Sequence, residues 1–430
     1  MRPPPTTAEI VEAIALREPL RPALWEDTSR LTYGQFHGML AQCALLLLRL
    51  GVRSGERVAV AGPGIGVQMV LLLAAEGLGA MTASFAPEGD VDAQAIFRHA
   101  DWVFAGAPQA VPPGVRFHLI DHRFVRALAE PLGHVRPAWS ALPMDQPQRL
   151  SRTSGSSGPS QLMVLDRAAQ EFWLELGRMT GGPGAQLRLL MLGPLLANVA
   201  FTRSSACLRR GGLLMIGTGR DIAQLAPTGI WGLPVQLERL MGELPPGYVS
   251  PQPVEVASVG GLLSARLRAQ VHAAFGGRLM NRYGSNEVGT ICDDLDAQGQ
   301  GVISPGVDVR IEDAEGNELP AGAEGIIAVR TPALARGYLD RPEDTARAFR
   351  DGWFVSGDVG AIVGWRLLRL AGRHDDLVNL GGLKMPARQI EDDIRQGAAA
   401  VADCAVQAVN LEGGHITLGI ALVLKAGAST

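Results

Sequence analysis

Apolar residues recur at helical spacing in the first part of the chain, between short continuous apolar runs. Segment Gly34–Leu50 carries apolar residues three or four positions apart and is followed by Gly51, which predicts a helix with a glycine stop. A strand at Gly55–Ala61, a helix at Val67–Leu78 and a strand at Ala80–Phe85 follow. Strand, helix and strand within about 30 residues predict a βαβ unit, and therefore a parallel sheet.

The same alternation continues to about residue 285 and then gives way to short strands joined by turns. Further helices are predicted at Ala8–Leu16, Asp92–His99, Arg167–Met179, Asn198–Leu208, Val235–Met241 and Arg266–Phe275. Further strands are predicted at Trp102–Ala105, Arg116–Ile120, Leu162–Leu165, Leu187–Leu192, Val254–Val259, Leu279–Tyr283, Val307–Ile311 and Gly325–Arg330. The pattern predicts an α/β fold with a β-rich subdomain at about 301–373 and a small α/β tail.

Composition excludes several classes of function. The net charge of −4 gives no electrostatic footprint for nucleic acid, and the Arg-rich patches (Arg203, Arg209 and Arg210; Arg347 and Arg350) are short enough to be interpreted as solvated faces. No apolar run approaches the roughly 20 residues of a membrane helix. Four widely spaced cysteines predict free buried thiols, and a cytoplasmic protein is expected.

A run of small residues, Thr153-Ser154-Gly155-Ser156-Ser157-Gly158, stands between a polar run and an apolar strand. Its glycines allow the backbone to approach a ligand closely, and successive N–H groups with four hydroxyls can hold an anion. A flexible Ser/Gly linker explains the same composition. The run alone therefore leaves a phosphate-binding loop and a linker both open.

A weak dinucleotide-binding fingerprint occurs after the first predicted parallel strand. Gly62 and Gly64 are followed by Glu88 at suitable spacing, but Val67 stands where the third glycine belongs. A tight turn entering a helix is the better explanation.

Five motifs occur in a fixed order along the chain. They are Thr153–Gly158, Tyr283–Glu287, Arg336–Thr345, Trp353–Asp358 and Gly372–Asp376. In this order the chain resembles the adenylate-forming (AMP-binding) superfamily of acyl-CoA synthetases, adenylation domains and luciferases. The resemblance implies an N-terminal AMP-binding domain at 1–373, followed by a hinge and a short, apparently truncated C-terminal lid domain at 374–430.

The resemblance also implies a reaction. A small carboxylic acid attacks the α-phosphate of ATP, with Mg²⁺ bound, and gives an acyl-adenylate and pyrophosphate. A thiol then takes the acyl group from the adenylate. That thiol belongs to CoA or to the phosphopantetheine of an acyl carrier protein. Chemistry of this kind requires positioning and charge neutralisation more than a protein nucleophile.

The resemblance assigns roles to the motif residues by their positions. It assigns the β- and γ-phosphates to Thr153, Ser154, Gly155, Ser156, Ser157 and Gly158, the adenine to Gly260, Gly261 and Tyr283, and further nucleotide contacts to Gly284, Ser285 and Asn286. It assigns Mg²⁺ to Glu287, ribose to Asp358, ribose or phosphate to Arg373, and the hinge of a rotating lid to Asp375.

The acid pocket is expected at Ala197 and Asn198. No acidic residue occurs from Met191 to Arg210 that could bind an ammonium group, which disfavours an α-amino acid substrate. Asn198 matches an asparagine of hydroxybenzoate-activating relatives, and it can equally be a helix N-cap. An aryl or short hydrophobic acid is expected.

Four departures from the family pattern leave a second function open. Ser160-Gln161 replaces Pro-Lys after the phosphate loop, Asn286 replaces a threonine, and Ala197 replaces a histidine. The family's C-terminal lysine has no counterpart, because Lys425 lacks the surrounding motif. The alternative is a catalytically impaired adenylate-binding or partner-binding protein that keeps the scaffold.

Overall fold

The structure is a computed structural model. It describes residues 3–90, 92–131, 133, 136–153, 160–176, 179, 186–373, 377–380, 383–386, 390, 391, 394, 397, 398, 400–410 and 416–424.

A long mixed sheet runs through most of the molecule. In spatial order it contains β16 (Asp308–Glu312), β17 (Gly325–Arg330), β19 (Trp353–Gly364), β20 (Leu367–Arg373), β15 (Gln300–Ile303), β14 (Gly289–Asp293), β13 (Gly276–Ser285), β12 (Val254–Val259), β11 (Gly229–Gly232), β9 (Arg188–Met191), β10 (Leu213–Ile216), β1 (Pro22–Glu26) and β2 (Ser29–Thr32), with β18 (Phe349–Arg350) beside β19. The strands from β13 to β1 are parallel, and those from β14 to β16 are antiparallel. The predicted β-rich region is therefore continuous with the α/β sheet.

A second sheet contains the two strands that flank the Ser/Gly run, β7 (Pro147–Arg152) and β8 (Leu162–Asp166). Its spatial order is β6 (Arg116–Leu119), β5 (Trp102–Ala105), β3 (Arg57–Ala61), β4 (Met81–Ser84), β7 and β8. The parallel pairing of β3 with β4 confirms the predicted βαβ unit, and β7 and β8 form an antiparallel hairpin. Two further hairpins are β21 (Leu377–Leu380) with β22 (Leu383–Pro386), and β23 (Val401–Asn410) with β24 (Ile416–Leu424).

The helices pack against both sheets. They are α1 (Thr7–Arg17), α2 (Tyr33–Leu50), α3 (Ile65–Gly77), α4 (Ala93–Arg98), α5 (His122–Leu128), α6 (Arg167–Glu175), α7 (Asn198–Arg209), α8 (Ile222–Leu225), α9 (Pro234–Glu243), α10 (Ala265–Phe275) and α11 (Pro342–Ala348), with a 3₁₀ turn at Gly219–Asp221. Gly51 ends α2 with φ of 96°, as predicted. Among the described residues, no helix is both long and apolar enough to cross a bilayer.

One hydrophobic core joins the two sheets. Helices α1, α2, α3 and α7 lie between them, so that Val58 and Phe104 of the second sheet belong to the same cluster as Leu189 and Trp231 of the long sheet. Alternate residues such as Leu190 face the opposite side of the long sheet, where α8, α9 and α10 cover them. This two-residue alternation explains the short continuous apolar runs of the sequence.

The N-terminus of α3 already has an anionic partner. Backbone N–H groups of Ile65 and Gly66 donate to the two carboxylate oxygens of Glu26, at 2.7 and 2.8 Å. A carboxylate there satisfies donors that a helix start leaves free. This contact supports the turn interpretation of Gly62 and Gly64 over dinucleotide binding.

Two elements were not predicted from the sequence, and one interpretation needs correction. The polar run before the Ser/Gly loop belongs to a buried strand, β7, and a helix, α5, lies in the region where none was predicted. Arg203, interpreted as part of a solvated face, is buried, with only 5% of its surface exposed. Its helix is packed between two sheets, and a count of charges along the sequence does not reveal that position.

A buried polar cluster holds β7 against β4. Glu76 Oε1 accepts from the Thr82 hydroxyl at 2.7 Å and Glu76 Oε2 accepts from Gln148 at 3.4 Å. The Arg149 guanidinium donates to Thr82 and Ser84 at 2.9 and 2.6 Å. Burial raises the pKa of Glu76 to about 7, against an opposing effect of Arg149. The strand that leads into the Ser/Gly loop is therefore held by a cluster that contains a titratable group, the Glu76 carboxyl.

We predict that the stability of the fold depends on pH through Glu76. A folded-state pKa above the ordinary 4.5 gives stability that is present below 4.5 and lost as the pH rises through about 7. Between about pH 5.5 and 8 the wild type should lose about 2 kcal/mol of unfolding free energy relative to Glu76→Gln. Denaturant unfolding of both proteins across this range measures the difference.

Glu238→Gln provides the control, because Glu238 is exposed on α9. A constant difference between wild type and Glu76→Gln at every pH would contradict the prediction.

Candidate functional site

Strands β12 and β13 end side by side and present the predicted adenine-binding residues at one edge of the long sheet. Gly260 has φ of 90°, a conformation that favours glycine. The carbonyl of Gly261 accepts from Asn281 Nδ2 at 2.9 Å, which fixes the turn after β12 to β13. In open α/β sheets, ligands bind beyond the carboxyl ends of parallel strands, and this edge is such a place.

The hairpin between β13 and β14 positions Glu287. A Cβ at Gly284 would lie 2.3 Å from the carbonyl oxygen of Gly289, so only glycine allows this close approach of the two strands. Ser285 Oγ is buried without a hydrogen-bond partner among the described residues. Glu287 is buried, and Ala335 N donates to its carbonyl at 2.8 Å.

Tyr338 contacts the predicted Mg²⁺ ligand directly. Its hydroxyl donates to Glu287 Oε1 at 3.1 Å. Burial, followed by the charge of Glu287, raises the pKa of Tyr338, so the hydroxyl keeps its proton. Backbone contacts with β8, including a bridge between Tyr338 and Met163, hold the segment in place. The motif containing Tyr338 was visible in the sequence, but this contact was not.

A hydrogen bond joins the Glu287 hairpin to the base of the Ser/Gly loop. Asn286 Nδ2 donates to the carbonyl of Arg152 at 2.7 Å. Arg152 in turn donates to both carboxylate oxygens of Asp90, each at 2.7 Å. Asn286, which replaces the family threonine, thus keeps a hydrogen-bonding role.

Thr153 and Gln161 close the base of the Ser/Gly loop. Thr153 N donates to the Gln161 carbonyl at 2.8 Å, and Gln161 N donates to Thr153 Oγ1 at 3.0 Å. Gln161 Nε2 also donates to Asp344 Oδ2 of α11 at 3.0 Å. Gln161, which stands where the family has a lysine, therefore connects the loop base to α11 through a hydrogen bond. Ser154, Gly155, Ser156, Ser157 and Gly158 lie outside the described residues.

Asp358 and Arg373 are neighbours on β19 and β20. Their Cα atoms are paired across the two strands, and the Tyr283 hydroxyl donates to Asp358 Oδ2 at 2.6 Å. Burial, with the Asp358 charge, raises the pKa of Tyr283, so its hydroxyl remains a donor. Tyr283 thus links the predicted adenine and ribose residues. Asp375 lies outside the described residues.

The predicted acid-pocket residues begin α7. Ala197 is the N-cap residue, so the alternative in which Asn198 caps the helix is wrong. Asn198 is buried, and its Oδ1 accepts from Gln170 Nε2 at 3.3 Å. Its Nδ2 has no partner among the described residues. A buried amide donor without an acceptor among the described residues can donate to a ligand.

The arrangement fits a nucleotide with a divalent cation. One edge of the sheet brings together the buried Glu287 carboxylate, the Asp358 carboxylate, the glycine turn of Gly260 and the Ser285 hydroxyl, which has no partner among the described residues. Carboxylates are the protein ligands that Mg²⁺ uses beside phosphate oxygens, and a carboxylate can accept from ribose hydroxyls.

Known structures share the whole fold. ATP-bound MatB from Rhodopseudomonas palustris superposes with a TM-score of 0.81 at 22% identity, covering 98% of this chain and 90% of that one. O-succinylbenzoate CoA synthetase (MenE) from Bacillus subtilis gives a TM-score of 0.82 at 18% identity, covering 98% and 89%. At these identities the likeness concerns the fold.

Sequence relatives match most of the chain. A 4-chlorobenzoate–CoA ligase of Arthrobacter is 26% identical over 97% of this chain and 86% of the ligase. A feruloyl-CoA synthase of Amycolatopsis is 27% identical over 91% of this chain and 83% of the synthase. The family profile described as AMP-binding enzyme matches residues 11–101 and 142–339. Since that match covers more than half of the chain, this protein belongs to the AMP-binding enzyme family, the adenylate-forming group that its motifs resemble.

Proposed function

We propose that this protein is an acid–thiol ligase that activates an aryl or short hydrophobic carboxylic acid with ATP and transfers the acyl group to CoA. The observation that carries the proposal is the 2.7 Å hydrogen bond from Asn286 to Arg152, which brings the Glu287 hairpin to the base of the Ser/Gly loop. A metal ligand beside a phosphate-binding loop is what phosphoryl chemistry requires.

The described residues would act mainly by positioning. Tyr283 and Gly260 would flank adenine, and Asp358, oriented by the Tyr283 hydroxyl, would accept from ribose. Glu287 would hold Mg²⁺, which neutralises developing charge on the phosphates when bound. The acid's carboxylate would then attack the α-phosphorus from the α7 side, where Ala197 and Asn198 lie, and displace pyrophosphate to leave the acyl-adenylate. Transfer of the acyl group to the CoA thiol would release AMP.

The substrate class rests on the pocket and on the relatives. The sequence has no acidic residue from Met191 to Arg210, so the segment that begins α7 supplies no carboxylate for an α-ammonium group. The relatives named above act, by name, on chlorobenzoate and ferulate, and a p-hydroxybenzoic acid–AMP ligase of Mycobacterium tuberculosis is 26% identical over 95% of this chain. CoA is the acceptor in the first two names, and a carrier-protein thiol is the alternative acceptor.

Removing the Glu287 carboxylate tests the proposal. With ATP and Mg²⁺, the wild type should release pyrophosphate in the presence of at least one aryl acid. Glu287→Ala should reduce that rate on the order of a hundredfold, since charge stabilisation near the reacting phosphate is lost. A coupled pyrophosphate assay over a panel of aryl and short alkanoic acids measures both rates.

Glu315→Gln, an exposed glutamate in the β-rich region, is the matched control. If no acid supports pyrophosphate release while AMP still binds, the protein is an adenylate-binding scaffold and the ligase proposal fails.

We predict that Tyr338→Phe raises the Mg²⁺ concentration needed for half-maximal activity by roughly tenfold, because it removes a hydrogen bond to a charged group. Magnesium titrations of pyrophosphate release check this. Tyr248→Phe is the control, since the Tyr248 ring packs on Phe275 away from the site. An unchanged magnesium requirement in Tyr338→Phe would show that the hydroxyl does not position Glu287.

We also predict opposite effects of two substitutions at Gln161. Gln161→Lys places a cation at the loop base, and an ion pair with Asp344 replaces the 3.0 Å hydrogen bond. The adenylation rate should rise severalfold, because the added positive charge stabilises negative charge on the phosphates. Gln161→Met has similar length but loses the bond to α11, and should lower the rate. Single-turnover formation of the acyl-adenylate distinguishes them, and equal rates in all three proteins would count against a role for this position.

A further inference from the structure

An acidic side chain lies at the base of the Ser/Gly loop. Asp344, on α11, accepts from Gln161 Nε2 through its Oδ2 at 3.0 Å, and only 22% of its side chain is exposed. A carboxylate in this position repels the negative charge of a polyphosphate held by the loop, and the neutral amide of Gln161 does not offset it. The proposed ATP site therefore requires a cation near Asp344.

Arg347 supplies a positive charge on the same carboxylate. Its Nη2 donates to Asp344 Oδ1, so Gln161 and Arg347 bind the two different oxygens of Asp344. The guanidinium thus lies one carboxylate away from the amide that occupies the position of the family lysine. Arg152, at the end of β7, is already engaged with both carboxylate oxygens of Asp90. Arg347 is therefore the better placed cation for a ligand of the loop.

The bond between Arg347 and Asp344 can be exchanged for another one. The side chain of Arg347 is 77% exposed, and the two residues are three positions apart on a surface helix. Such exposed ion pairs contribute little to stability. Guanidinium groups bind phosphate oxygens through two parallel, charge-assisted hydrogen bonds, which are stronger. A phosphate beside the loop base can therefore take the guanidinium from Asp344 without a large cost to the fold.

The segment that contains Arg347 is also fixed beside the predicted Mg²⁺ ligand. Tyr338, whose hydroxyl donates to Glu287, donates through its backbone N–H to Thr345 Oγ1 of α11 at 2.9 Å. Burial, and then the charges of Glu287 and Asp344, raise the pKa of Tyr338, so both carboxylates lie near its hydroxyl. The guanidinium of Arg347 and the predicted metal ligand therefore lie beside the same loop.

We propose that Arg347 binds the terminal phosphates of ATP and supplies the positive charge that the family's lysine would supply at Gln161. This inference rests on the proposed function, which assigns ATP to the Ser/Gly loop. Without nucleotide, the guanidinium neutralises Asp344. With ATP bound, it contacts phosphate oxygens while the Gln161 amide holds Asp344, and it stabilises the charge of the departing pyrophosphate.

The first test compares the binding of ATP and AMP, each measured by calorimetry with Mg²⁺ and without acid. Arg347→Met should weaken ATP binding about tenfold and leave AMP binding unchanged, because AMP lacks the terminal phosphates. Arg239→Met is the matched control, since Arg239 is also 77% exposed and paired with an acid, Glu243, on the same helix. Unchanged ATP binding in Arg347→Met, or equal weakening of ATP and AMP binding, would overturn the proposal.

The second test restores the cation at the family position. Gln161→Lys, added to Arg347→Met, should recover most of the lost ATP affinity, because a lysine there places a positive charge at the loop base. Arg347→Lys alone should keep part of the affinity, since it keeps the charge but not the paired hydrogen bonds. Failure of Gln161→Lys to recover ATP binding would overturn the idea that Arg347 replaces the lysine.

A third variant separates direct contact from neutralisation of Asp344. If Arg347 contacts the phosphates, Arg347→Met should still weaken ATP binding when Asp344→Asn is also present. If Arg347→Met has no effect in that background, Arg347 only offsets the charge of Asp344, and the phosphate contact is refuted.

The failure of this inference is distinguishable from the failure of the proposed function, because the binding tests contain no acid. Pyrophosphate release with an aryl acid, together with an ATP affinity that does not depend on Arg347, would refute the inference and keep the ligase function. An ATP affinity that depends on Arg347, without pyrophosphate release from any acid, would do the reverse.

Discussion

The candidate site depends on the hydrogen bond that connects the two sheets at Asn286 and Arg152. Asn286 reaches from the long sheet to the carbonyl of Arg152 in the second sheet, and Arg152 is itself fixed by the Asp90 carboxylate. Without this hydrogen bond, the Ser/Gly loop and the Glu287 hairpin would be connected only through the shared core and through the contacts of the Tyr338 segment with β8. Metal and phosphate binding require their protein ligands to meet within a few ångströms, so the sheets must hold a fixed relation at this point.

The candidate site is built in layers of increasing distance from the proposed nucleotide position. Tyr283 and Tyr338 contact the two carboxylates that the family resemblance singles out, Asp358 and Glu287. Behind them, Gln161 connects the loop base to α11. Each hydroxyl or amide donates to a carboxylate, which fixes the carboxylate's orientation before any ligand arrives. Such preorganisation reduces the entropy that binding must otherwise overcome.

Sequence patterns predicted the regular elements well, because periodicity reports which face of a segment is buried. They failed where a buried face is polar. Strand β7 carries Arg149, whose partners on β4 are more than sixty residues away, and α7 carries Arg203 among buried serines. The contact between Tyr338 and Glu287 spans 51 residues and left no local signal. Motif order pointed to the candidate site, but hydrogen bonds across the fold determine how its residues are held.

The carboxylate of Glu26 has a consequence for how this chain could evolve by recombination. Glu26 belongs to β1 in the long sheet. Its carboxylate nevertheless caps the N-terminus of α3, a helix of the unit that builds the second sheet. The helices of that unit also share one core with both sheets. A crossover between homologous genes that falls between Glu26 and Ile65 would therefore separate the carboxylate from the helix start that it caps. Exchange of specificity between relatives is better tolerated within the edge loops, where strands end and the shared core is left intact.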